Sequence, residues 1–279
     1  MILVTGATGT IGSHVVAELA RAHVPARALV RATDRGAQLP DGIEPVVGDL
    51  ESLDATALDG VESVFLMSPT SPDTTRIESA AIDAARRAGV ELIVKLGAAG
   101  ASAQSAARFT RGHGEVIDYL RSSGVPSTVL MPTDYMANVL NQSQAIRETG
   151  TLYASDADAL VASVHPADVG AVAAVALQGG HEGDDLVLTG PEAASARDVA
   201  ARLSSVLGRE IQLVVLDDDA MLTGMLGAGV PEWVAQGLLE LYAAYRAGVA
   251  AETTGTVEAV LGRAPRSWDD FLRESSGAF

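Results

Sequence analysis

The chain opens on Ile2-Leu-Val-Thr-Gly6-Ala-Thr-Gly9-Thr-Ile-Gly12, and this stretch constrains the fold more than any other. A short apolar strand runs into three spaced glycines, and the amphipathic segment Ile11 to Ala22 follows directly. Gly6 allows the tight turn, Gly9 lets the backbone approach a pyrophosphate, and Gly12 permits close packing of the following helix. Thr8, Thr10 and Ile11 complete the loop. The amino end of that helix would then meet an anion with free N–H groups and its positive dipole end. Strand, glycine turn and helix in this order predict a dinucleotide site.

The rest of the N-terminal half continues the pattern. Strands are expected at Ala26–Val30, Glu44–Val47, Ser63–Met67, Leu92–Leu96 and Thr128–Met131, with helical spacing between them at Thr74–Ala88 and Gly114–Ser122. Alternation at this spacing implies a Rossmann-type, doubly wound α/β fold, a parallel sheet with helices on both faces. Ligands on such sheets bind beyond the carboxyl ends of the strands, where the strand order reverses. Past about residue 150 the rhythm loosens. A helix over His165–Leu177, a strand over Asp185–Leu188, a capping box at Ser195-Ala-Arg-Asp198, a strand over Ile211–Leu216 and a helix over Pro231–Tyr245 remain legible. The expected division is a cofactor-binding domain over residues 1–190 and a smaller α/β lobe over 191–279, packed across the ligand edge as a substrate-binding lid.

Composition removes several alternatives. No run approaches the roughly 18 apolar residues of a membrane helix, and the first residues lack the basic and small-residue pattern of a signal peptide, so the expected location is the cytoplasm. Without cysteine there is no disulfide, thiolate metal site or cysteine nucleophile. His14, His23 and His181 lack partners at metal-ligand spacing, so no metal is expected. A net charge of −17, from 19 basic and 36 acidic residues, disfavours nucleic acid. A small molecule is the expected partner, and a homo-oligomer stays open.

Cofactor choice is expected at the end of the second strand. An acid there binds the ribose 2′-hydroxyl of NAD, whereas an arginine accommodates the 2′-phosphate of NADP. Here the strand ends in Arg31, Arg35 follows, and no acid precedes Asp34, which favours NADP(H) over NAD(H). Asp49 and Leu50, after the third strand, are placed to contact the adenine.

With these residues the sequence resembles the NmrA-like branch of the atypical short-chain dehydrogenase/reductases, which includes NAD(P)H-dependent quinone reductases. The resemblance rests on Thr5–Gly12, Ala28-Leu-Val-Arg31, Val94-Lys-Leu-Gly-Ala98, Met131-Pro-Thr-Asp-Tyr-Met-Ala-Asn138 and Gly262-Arg-Ala-Pro-Arg-Ser-Trp268, and so spans nearly the whole chain. It implies a substrate cleft between a Rossmann domain and a small C-terminal lobe. Met67, Ser68, Lys95, Met131 and Pro132 would border the cofactor, and Gly97, His113, Tyr135 and Asn138 the substrate.

The wider family protonates its product through a Tyr-x-x-x-Lys pair. The matching stretch here is Phe109-Thr-Arg-Gly-His113, and phenylalanine donates no proton. An acceptor that needs little acid help, such as a quinone, suits this chain better than a ketone. Lys95, His113 and Tyr135 remain as catalytic candidates: Lys95 facing the nicotinamide region, His113 as a proton donor near neutral pH, and Tyr135 as an aromatic wall with a hydroxyl. Met221–Leu226 and the helix from Pro231 are apolar enough to roof the pocket. The expected activity is NADPH-dependent reduction of a small aromatic or quinone-like molecule by direct hydride transfer, with no flavin. Two other readings stay open: an NADP-sensing regulator without turnover, and a lyase, isomerase or cyclase without net redox change.

Overall fold

The computed structural model describes residues 1–31 and 39–279. Among these the chain forms strands β1 (Ile2–Val4), β2 (Ala26–Val30), β3 (Ile43–Val47), β4 (Ser63–Leu66), β5 (Leu92–Leu96), β6 (Ser127–Pro132), β7 (Thr151–Ala154), β8 (Asp185–Leu188) and β9 (Gln212–Val215). The longer helices are α1 (Gly12–Arg21), α2 (Thr74–Ala88), α3 (Arg108–Ser123), then α4 (Ser143–Thr149), α5 (Pro166–Ala176) and α6 (Ala196–Leu207). The C-terminal ones are α7 (Asp218–Gly227), α8 (Glu232–Arg246), α9 (Thr256–Leu261) and α10 (Trp268–Glu274). Seven strands make one parallel sheet in the order β3-β2-β1-β4-β5-β6-β8. The order reverses between β1 and β4, which is where a doubly wound sheet opens its ligand crevice.

Side-chain alternation along the strands supplies two cores. Ile2, Val4, Val94 and Leu96 join Val15, Leu19, Val169 and Val172 under α1 and α5. Leu3, Val64 and Ile93 join Ile82, Ala85, Val116 and Leu120 under α2 and α3. Each fully buried aliphatic side chain contributes about 1.5–3 kcal/mol. On β5, Lys95 follows Ile93 by two residues and therefore points at α2 and α3.

α2 has the bounds its periodicity predicts, whereas α3 begins at Arg108, well before the expected Gly114. Gly112 and Gly114 blur the helical pattern there. Gly114 serves a tertiary purpose, because a Cβ on it would lie 2.1 Å from the Ser102 carbonyl carbon. The loop at Ser102 thus presses against α3.

The smaller lobe draws on chain from both sides of residue 190. β7 pairs in parallel with β9, and Met136, Val139, Ile146 and Leu152 pack with Val199, Leu203, Ile211, Trp268 and Phe271. α9 follows that position yet contributes Val257 to the core of the main sheet. The reason is pairing: β7 meets its hydrogen-bond partner in β9.

Gly262–Trp268 is held at the start of α5. Asp168, fully buried, accepts from Arg263 Nη2 at 2.7 Å, Arg266 Nη1 at 2.7 Å and the Arg266 backbone N–H at 2.6 Å. His165 caps the same helix, its Nδ1 accepting from the Ala167 N–H at 3.1 Å with Pro166 in the first turn.

Candidate active site

At the carboxyl end of β1 the Thr5 hydroxyl donates to the carbonyls of Phe65 and Met67, and the Met67 N–H donates back to it at 2.9 Å. The two strands flanking the reversal are thereby fixed at the mouth of the crevice. Gly6 turns the chain with φ +60°, and the Gly9 N–H closes the loop on the Gly6 carbonyl at 2.9 Å. A Cβ on Gly12 would sit 2.1 Å from the Gly6 oxygen, so only glycine lets α1 start this close to the turn. The first turn of α1 carries no acid and no side-chain cap. No backbone acceptor among the described residues takes the N–H of Thr10, Ile11 or Gly12. Thr8 and Thr10 are exposed at the mouth, with Ile11 and Gly12 buried beneath. A turn no side chain would fit, backed by unpaired N–H groups and a helix dipole, matches a pyrophosphate.

Arg31 directly follows β2 and is exposed. Arg35 lies outside the described residues. The Asp49 carboxylate accepts from the Glu51 N–H at 2.9 Å and caps the short turn Leu50–Ser52, with Leu50 half-buried against the core.

Met67 packs against Gly6, and the next residue, Ser68, lines a cavity of about 220 Å³ between α2, α3 and α8. The wall of the cavity thus begins one residue beyond the side chain that packs on the glycine turn. Ser71, Thr74, Arg111, Phe109, His113 and Trp233 also line it. From the C-terminal segment Trp233 of α8 is the contact; Met221–Leu226, expected as roof, is not among the lining residues. Phe109, at the position of the family tyrosine, stacks at a tilt on Trp233 with ring centroids 5.4 Å apart. A Cβ on Gly237 would come within 2.4 Å of the Phe109 ring, so this glycine lets α8 close on α3. Arg108 latches the two helices through Glu240 at 2.6 Å.

Lys95 does not open onto the crevice. It is fully buried beneath α2 and α3, with Nζ 2.9 Å from Glu78 Oε2, 3.4 Å from His113 Nδ1 and bonded to the Leu96 carbonyl. Glu78 is equally sealed, and its Oε1 accepts from the Ser68 hydroxyl at 2.9 Å. Sequence reasoning passed over Glu78. A signal was present, since Glu78, Ala81, Ile82 and Ala85 share one helix face and a carboxylate interrupts its apolar stripe. Burial, and then the Lys95 charge, push the His113 pKa down to about 3. The imidazole is therefore neutral at physiological pH, not the near-neutral acid that its residue type suggested.

At the carboxyl ends of β5 and β6, Gly97 is buried and donates its N–H to the Leu130 carbonyl at 2.8 Å, beside half-buried Met131 and buried Pro132. Tyr135 starts a short helical turn over Met136–Gln142, and burial raises its pKa, so the hydroxyl stays protonated. Asn138 spends its amide on Asp134 Oδ1 at 2.7 Å. Asp134, unremarked in the sequence, also accepts from Ser163 at 2.9 Å and faces the Tyr245 hydroxyl at 3.4 Å, which ties β6 to α8. Burial raises its pKa, against the hydrogen bonds that stabilise the charge. Among the described residues no cluster fits a metal ion, and no helix is long and apolar enough to cross a membrane.

The chain is similar to known proteins over its whole length. Residues 1–272 match the profile of the NmrA-like family. The chain is 38% identical over 284 aligned positions to an NAD(P)H azoreductase of Xenophilus azovorans, covering 100% of this chain and 99% of that protein. It is 41% identical over 286 positions to a (4-alkanoyl-5-oxo-2,5-dihydrofuran-3-yl)methyl phosphate reductase of Streptomyces griseus, covering 100% and 99%. An NADPH-dependent quinone oxidoreductase of Escherichia coli, solved with NADPH, superposes with a TM-score of 0.88 at 26% identity over 98% of this chain and 99% of the other.

Proposed function

The chain belongs to the NmrA-like family, and on that premise we propose that it is an NADPH-dependent oxidoreductase reducing a small aromatic or quinone-like molecule. The observation that carries the reading is the Gly6–Gly12 cradle, whose neighbour Met67 is followed directly by Ser68 in the wall of the cavity that His113 also lines. Relatives that reduce azo, furanone and quinone compounds support it. When bound, the nicotinamide supplies a hydride.

The protein's own residues bind and orient. Gly6, Gly9 and Gly12, with the N–H groups of Thr10 and Ile11, hold the pyrophosphate. Arg31 takes the 2′-phosphate, which favours NADPH over NADH, and Asp49 and Leu50 border the adenine. Met67, Ser68, Met131 and Pro132 wall the nicotinamide side. On the substrate side Phe109 and Trp233 offer aromatic faces, and His113 directs a hydrogen-bond donor at a reducible oxygen or nitrogen. Gly97, Tyr135 and Asn138 complete the border, while Lys95 acts through His113. No flavin or metal is invoked.

The test is anaerobic loss of NADPH absorbance with a panel of quinones and azo compounds, run beside NADH. Acceptor-dependent turnover that prefers NADPH is the expected result. Tight NADPH binding with no acceptor reduced would overturn it in favour of a cofactor sensor. Substrate conversion without NADPH consumption would favour a lyase, isomerase or cyclase.

A further inference from the structure

We propose that Glu78 is a positioning residue that, through Lys95, fixes His113 in the tautomer with its proton on Nε2, presenting the cavity with an uncharged hydrogen-bond donor. The inference deepens the reductase reading and rests on it for the role of the cavity; the tautomer itself does not.

An ammonium has three N–H donors and no lone pair, so every polar atom it bonds must be an acceptor. The three neighbours of the Lys95 ammonium are the Leu96 carbonyl, Glu78 Oε2 at 2.9 Å and His113 Nδ1 at 3.4 Å. Nδ1 therefore carries the lone pair. Burial and the Lys95 charge keep the ring neutral, which leaves its one proton on Nε2. Nε2 has no protein partner among the described residues and is not sealed from the cavity that His113 lines. A donor built this way does not titrate through the physiological range, unlike an imidazolium.

Glu78 is what makes the arrangement hold. A lysine buried without a counter-charge sheds its proton, and the amine's lone pair would then accept from Nδ1–H and reverse the tautomer. The Glu78 carboxylate, steered by the Ser68 hydroxyl at 2.9 Å, stands as the counter-charge 2.9 Å from the Lys95 Nζ. Stability alone is a weak reason for such a pair, since buried ion pairs are often replaced by apolar residues without loss. Its contact with the one imidazole on the cavity wall supplies a reason for its presence. The charged groups facing His113 are Lys95 from β5 and, behind it, Glu78 from α2. Arg108, Arg111 and Glu115 of α3 line the same cavity, with Arg108 tied to Glu240 of α8.

The experiment is two-bond proton–nitrogen NMR of the histidine-labelled free protein, with His113 assigned by its loss in His113→Gln. In the native protein its signals should show the Nε2–H pattern, unchanged between about pH 5 and 8. In Glu78→Gln, which keeps volume and the Ser68 contact, Nδ1–H should grow in with rising pH. NADPH affinity should hold while kcat falls on the order of a hundredfold. Should that variant fold poorly, Glu78→Leu combined with Lys95→Met removes both charges together, and His113, still kept neutral by burial, should then show mixed tautomers. A native Nδ1–H pattern, or a His113 spectrum indifferent to both variants, would overturn the proposal. An Nε2–H pattern without turnover on any acceptor would instead sink the reductase reading and leave the positioning role standing.

Discussion

Two buried ionic sites divide the labour of this molecule. At the start of α5, Asp168 has two arginine partners, both partly exposed, and a backbone N–H, so its carboxylate is saturated while the opposing charges keep contact with water. Beneath α2 and α3, Lys95 and Glu78 are both sealed, and the ammonium also faces an imidazole on the cavity wall. Desolvation penalises a buried charge in either place. The first site uses the compensation to hold the C-terminal segment on the sheet; the second uses it to set the state of one side chain. Burial of a charge therefore says little until its last hydrogen bond has been traced.

The sharpest way to break the comparison is Asp168→Ala. It leaves a backbone donor and two half-exposed arginines without their acceptor, and should cost about 1–3 kcal/mol in urea unfolding; a loss below about 0.5 kcal/mol would remove the structural role. Next comes the paired change Glu78→Leu with Lys95→Met, which should leave stability unchanged or raise it by about 1–4 kcal/mol while turnover drops. A large loss of stability there would make the two sites alike.

His113 sharpens the contrast through pH. Its folded pKa lies below the unfolded one, so the unfolded chain binds a proton first and the protein loses stability as the pH falls from about 6.5 towards about 3. His113→Gln should reduce that acid slope by up to about 1.4 kcal/mol per pH unit, measured by unfolding at several pH values. His14 and His165, also depressed chiefly by burial, preserve part of the slope. The smallest effect belongs to an open charge. Arg31→Ala should change stability by less than about 0.5 kcal/mol yet lower the NADPH/NADH affinity ratio; an unchanged ratio would show Arg31 to be a solvated surface residue.

The glycine turn, the parallel strands and the bounds of α2 were readable along the chain because each depends on neighbours a few residues apart. Gly12 excludes a Cβ because Gly6 lies beside it, and strands buried on both faces announce themselves as short apolar runs. The start of α3 was hidden, since Gly114 answers to the loop at Ser102 and not to its own helix. The contribution of β7 to the smaller lobe was equally hidden, because β7 has no partner until β9.

Lys95 and His113 were recognisable as chemically capable residues, but not what each would do. Strand alternation sends Lys95 to the face of α2 and α3, and only the packing of those helices brings Glu78 and His113 to its ammonium. By itself the sequence determined the sheet, the crevice and the residue types available at its edge, since local spacing and sterics decide those. Tertiary structure alone decided which charge is sealed, which imidazole stays neutral and where its proton points, because desolvation and hydrogen bonding depend on atoms that meet only when distant segments pack.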